Sequence, residues 1–211
     1  MKEDGSIALF QYWNSLRGSR PAPMRTEVEP GDIKRLLTDT FILERDTRGE
    51  AVFRLAGTRV CTTFGRELKG FSFPSLWQER DQGPVTRMVR EVFEATKVVV
   101  LAFTGITPNK RSNRFEMVVL PLDGGVDNPR CLGAMFAAEK PFWLGADPIV
   151  EARIDSLRVI DPQREPLILK HRPAIEVPTL SPNELPIPAD LEPSRGSRRI
   201  RHLVVFDGGL S

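Results

Sequence analysis

The order in which strand-like and helix-like runs follow one another constrains this chain more than any single motif. From Leu43 to Trp77 it reads L-E-R-D-T-R-G-E-A-V-F-R-L-A-G-T-R-V-C-T-T-F-G-R-E-L-K-G-F-S-F-P-S-L-W. Residues 41–46 and 51–57 are rich in strand formers and flank a polar T-R-G-E turn, which predicts a hairpin. A glycine-punctuated basic loop follows and leads to an aromatic stop. Over residues 82–97, Val85, Met88, Val89, Val92 and Phe93 recur at helical spacing, with Arg87, Arg90 and Glu94 on or near the other side, so this is the longest amphipathic helix of the chain. Three strand-like runs at 98–107, 113–122 and 131–140 come next, separated by turn-forming segments, and predict consecutive antiparallel strands. In the middle run Phe115, Met117 and Val119 alternate with Glu116, Val118 and Leu120, so both faces of the sheet are candidates for cover. The fold class is α+β.

Ahead of the hairpin, residues 7–16 place Leu9, Phe10, Trp13 and Leu16 on one helical face, which makes this a docking helix. Glycine and two prolines break it. A short helix is then expected, capped by Asp32 and carrying Ile33, Leu36 and Leu37 as its apolar stripe. Prolines crowd residues 161–194, where neither helix nor central strand can persist, so an extended linker or tail is expected there. The last residues, 195–211, combine a basic run with a short apolar strand. The chain of 211 residues suits one core plus an extension, divided as 1–39, 40–160 and 161–211.

Thirty basic residues against 28 acidic ones leave a net charge of +2, too little for a uniform field that would draw the chain onto nucleic acid or an anionic membrane. No uncharged apolar run approaches the roughly 18 residues of a membrane helix, and the start, M-K-E-D-G-S-I-A-L-F, lacks the apolar stretch of a signal peptide. A cytoplasmic location is expected. Cys61 and Cys131 belong to no C-x-x-C pair and read as buried thiols in a reducing compartment. Asp123, Asp127, Glu139 and Asp147 have no partner histidine, which speaks against an enzyme. The loop containing Arg59, Arg66 and Lys69 can present guanidinium and amine groups to an anion, with Gly65 and Gly70 placed for tight turns near short helix ends.

Y-W-N-S-L-R-G at 12–18, P-A-P-M-R-T-E-V-E-P-G-D-I-K-R-L-L at 21–37, F-R-L-A-G-T-R-V at 53–60, F-G-R-E-L-K-G at 64–70 and L-R-V-I-D-P at 157–162 together resemble the PAS-like family first catalogued as a domain of unknown function in alphaproteobacteria. The resemblance spans about residues 8–162. It implies a five-stranded antiparallel sheet in strand order 2-1-5-4-3, helices on one face over a pocket, an N-terminal amphipathic helix and a proline-rich C-terminal extension. By the same resemblance, Phe53, Leu55, Phe115, Met117, Met135 and Phe136 are candidates for a ligand pocket, and Leu9, Phe10, Trp13 and Leu16 for a dimer helix or a cap on the sheet. No cofactor is identified. Histidine-ligated haem is disfavoured because His171 and His202 lie beyond the domain, and cysteinyl-flavin photochemistry because Cys61 stands in T-R-V-C-T-T-F-G, unlike the N-C-R-F-L-Q type of reactive helix. The expectation is a non-catalytic sensory or regulatory module, homodimeric, that binds a small ligand or a partner protein and signals through a separate effector. The alternative is a ligand-free interaction adaptor using the sheet face and the C-terminal segment.

Overall fold

The computed structural model describes residues 1–124, 129–162, 197–200 and 203–206. The chain divides into two units, Met1–Lys170 and His171–Ser211. The described part of the second unit is a short antiparallel pair, Ser197–Ile200 with Leu203–Phe206. The proline-rich stretch expected at 161–194 lies almost wholly outside the described residues.

In the first unit the strands β1 (Thr40–Arg45), β2 (Ala51–Ala56), β3 (Val98–Ile106), β4 (Ser112–Leu122), β5 (Arg130–Ala137) and β6 (Glu151–Ile160) form one sheet in the order β2-β1-β5-β4-β3-β6. Every neighbouring pair is antiparallel. The expected order of five strands is present, and β6 corrects the count to six. The reason is physical: β6 is an edge strand buried only at Ala152 and Ile160, so its sequence carries little of the apolar signal by which strands are recognised.

The sheet is covered on both faces, which corrects the placement of helices on one. The short α2 (Thr58–Thr63) and the long α3 (Glu79–Ala95) contribute Val60, Val85, Met88, Val89 and Val92 to a cluster with Phe41, Leu43, Phe53, Leu101, Phe103, Phe115, Met117 and Met135. On the opposite face α1 (Asp4–Arg17) lays Leu9, Phe10 and Trp13 against Val118, Leu120, Leu132 and Ala134. Successive strand residues point to opposite faces, so the alternation of β4 supplies both clusters. The segment after α1 contributes buried Ala22 and Ile33, but residues 30–36 form turns rather than the expected short helix, and a single 3-10 turn covers Leu37–Asp39.

Polar contacts fix α1 from end to end. The nearly buried carboxylate of Glu116 on β4 accepts from the backbone N–H of Lys2 (2.8 Å) and of the N-cap residue Glu3 (3.1 Å), which ties the start of α1 to the sheet and sets a negative charge beside its N-terminus. Trp13 Nε1 donates to Pro121 O at 2.7 Å. Arg17 lies over the Trp13 ring and donates to Pro162 O at 2.9 Å. On the other face, α3 begins three residues before the sequence suggested and is tied to β6 by Asp81, whose Oδ2 accepts from Ile154 N.

Candidate functional site

The space between the sheet and α3 is occupied by rings in continuous contact. Phe41, Phe53 and Phe73 form a triangle with centroids 5.5–6.0 Å apart. Phe73 meets Trp77 at 5.9 Å, Trp77 meets Phe103 at 5.0 Å, and Phe103 stacks on Phe115 at 5.0 Å. Aromatic pairs at these separations are favourable packing. Trp77 Nε1 is buried among them without an acceptor among the described residues.

A cleft of about 490 Å³ lies instead at one end of the sheet, within the volume range of small-molecule sites. Its walls are the start of α1 (Glu3, Asp4, Gly5), the α2 residues Arg59, Thr62 and Thr63, the end of β5 (Phe136, Ala137) and the segment that holds Lys140, Pro141, Leu144 and Gly145. Local sequence explains its shape. Gly5 passes so close to Phe136 that a Cβ there would sit 2.3 Å from the ring, so glycine lets α1 meet the ring edge. Past α2, Gly65 adopts φ +64 and lies against Pro148, so close that an added Cβ would meet the proline ring at 2.6 Å.

One charged pair stands in the wall. The Asp39 side chain is only 7% exposed; it accepts from Arg59 Nη1 at 2.5 Å and from Thr38 Oγ1 at 3.1 Å, while Arg59 itself stays 59% exposed. Arg59 therefore neutralises a carboxylate already taken out of water and still presents donors to the opening. Lys140 adds an exposed cation, and Glu3 and Asp4 add anions on the α1 side. Opposed charges above an apolar floor of Phe136 and Leu144 suit a small molecule that carries both signs of charge.

The residues singled out in the sequence do not converge on one site. Phe53, Phe115, Met117 and Met135 belong to the inner cluster with α3, whereas Phe136, one step along β5, faces the cleft. Leu55 is 51% exposed on the opposite face. Strict alternation would put it beside Phe53, but a bulge makes Leu43 pair with Phe53 and Ile42 with Leu55, so Arg54 is the extra residue and Leu55 turns outward. Of the three cations, Arg59 reaches the cleft, Arg66 lies over the Phe71 ring at 5.0 Å, and Lys69 lines a separate groove. Leu9, Phe10 and Trp13 are buried on their own sheet and Leu16 is half-buried.

Sequence reasoning missed Asp39, Gly5, Lys140 and Leu144 as wall residues. They come from three separated segments, and no local pattern links them. Burial pushes the Cys131 thiol far up, and partial burial raises Cys61 as well. Among the described residues no group of histidine, cysteine and carboxylate side chains has the arrangement of a metal site, and no helix is long and apolar enough to cross a membrane.

The PAS_5 family, described as a PAS domain, matches residues 1–136. Among solved structures, the Rhodobacter sphaeroides LOV protein is similar at 13% identity and a TM-score of 0.40, over 55% of this chain and 71% of that one. The RsLOV d2 variant is similar at 15% identity and a TM-score of 0.38, over 55% and 71%. None of the curated proteins matches the chain.

Proposed function

Because the chain belongs to the PAS_5 family of PAS domains, we propose that it is a non-catalytic, cytoplasmic sensory or regulatory module that receives its input at the surface and acts through a separate effector protein. The ring chain from Phe41 to Phe115 is the observation that supports a surface input, because it packs ring on ring between the sheet and α3, where an enclosed ligand would have to sit. The input site is the cleft bounded by α1, α2 and residues 136–145, and its ligand is a small molecule with both an anionic and a cationic group. Arg59 and Lys140 bind the anionic end, Glu3 and Asp4 the cationic end, and Phe136 and Leu144 the apolar remainder.

A ligand shifts a conformational equilibrium only by its difference in affinity for the two states. In this cleft it touches the first residues of α1, so the affected element is that helix. Complete release of α1 would expose Leu9, Phe10 and Trp13 at a cost of roughly 5–9 kcal/mol, taking about 1.5–3 kcal/mol for each. A monomer would be released in only one molecule in about 10⁴ to 10⁶. The signal is therefore a displacement of docked α1 across Phe136, and the homodimer in this reading does not use Leu9, Phe10 and Trp13 while α1 is docked.

Native mass spectrometry of the purified protein tests this reading, with Lys140→Glu as the cleft variant. The expected result is a small retained mass that the variant loses. The same ring packing supports a second reading, a ligand-free adaptor, and a bare protein in both samples favours that one.

A further inference from the structure

We propose that a second surface, the groove over the outer face of β1 and β2, docks an extended acidic peptide segment of a partner protein, with apolar side chains between its carboxylates. The groove encloses about 380 Å³. Leu55, Ile42 and Val52 form its floor, and Arg25, Arg54 and Lys69 stand around it. Leu55 is half exposed, and α1 does not extend over it.

The charge balance of the groove is one-sided. Its acid, Glu44, is shared between Arg54 at 3.1 Å and Arg130 at 3.5 Å. Arg25 and Lys69 are exposed and have no ion-pair partner among the described residues. Three cations against one acid leave an excess of two positive charges over an apolar floor. Such a surface attracts carboxylates at long range and buries aliphatic side chains on contact. Its floor is aliphatic, which suits a leucine side chain better than stacked nucleobases.

The geometry also fixes how the segment lies. The edge of β2 is already closed, because Gly70 N donates to Phe53 O (2.7 Å), Phe53 N to Phe71 O (2.9 Å) and Phe73 N to Ala51 O (2.8 Å). An occupant cannot join the sheet as another strand there. It crosses the face, and its side chains rather than its backbone decide recognition.

Fluorescence polarisation of the full chain against a labelled octapeptide of alternating glutamate and leucine tests the proposal, with a lysine–leucine octapeptide and an oligo-dT strand as competing probes. The acidic peptide should bind and the basic one should not. Binding should weaken with added salt, since exposed charges are screened beyond about 10 Å at 0.1 M ionic strength. The double variant Arg25→Glu/Lys69→Glu should lose at least about tenfold in affinity, and Leu55→Ser about threefold. Arg87→Glu, on the outer side of α3, should change nothing. Should the double variant fail to fold, the salt dependence and Leu55→Ser carry the test. Absence of acidic-peptide binding, equal binding of both peptides, unchanged affinity in the folded variants, or tighter binding of oligo-dT would overturn the proposal. The groove is separate from the α1 cleft, so a bare protein in mass spectrometry leaves this result untouched.

Discussion

Replacing Trp13 with alanine should separate α1 from the sheet in measurable steps. Trp13 is fully buried, its Nε1 donates to Pro121 O at 2.7 Å, and Arg17 lies over its ring. Removing a fully buried tryptophan costs about 3–5 kcal/mol, most of it lost packing and the rest an orphaned carbonyl. Trp13→Phe keeps most of the ring volume but leaves Pro121 O without its donor, which costs about 1–2 kcal/mol. Urea unfolding followed by far-UV circular dichroism reads both losses without depending on tryptophan fluorescence. The expected order is wild type, then Trp13→Phe, then Trp13→Ala. A loss below about 1 kcal/mol for Trp13→Ala would mean that α1 is not docked on the sheet in solution, and the proposed route from cleft to helix would fall with it.

Glu116→Ala should cost about 1–3 kcal/mol by removing the acceptor for Lys2 and Glu3, with amide exchange accelerated at the start of α1 and unchanged in α3. Phe53→Ala should cost about 3–5 kcal/mol and Leu55→Ala under about 1, and equal losses in chemical denaturation would contradict the bulge between them. Burial holds the Cys131 thiol above the ordinary range, so the unfolded chain ionises first as pH rises. Its contribution to stability is therefore complete below the ordinary thiol value of about 8.5 and declines above it. Thiol-reagent labelling at neutral pH should reach Cys61 slowly and Cys131 only in denaturant; rapid labelling of Cys131 would contradict its burial.

The hairpin, the long helix and the three central strands were legible because each declares itself in local periodicity, as the alternation around Phe115 and Met117 illustrates. The family was legible from several short motifs taken together. What escaped was non-local. β6 sits at an edge where Leu157 and Val159 remain partly exposed, so burial leaves little pattern in its sequence. Leu55 lies two residues from Phe53, and only the pairing register reveals that Arg54 is an extra residue between them. Asp39 and Arg59 stand twenty positions apart and meet because a turn and a short helix bring them together. The dual face of β5 was readable in principle, since Met135 and Phe136 are adjacent and must point apart.

Ring contact through the interior, with the input site at the surface, is tested most directly by a crystal structure of the protein purified without added ligand. The predicted result is continuous ring contact from Phe41 through Phe73, Trp77 and Phe103 to Phe115, with any bound molecule confined to the surface clefts. Electron density for a molecule lodged between the sheet and α3, accepting a hydrogen bond from Trp77 Nε1 and parting it from Phe103, would contradict it.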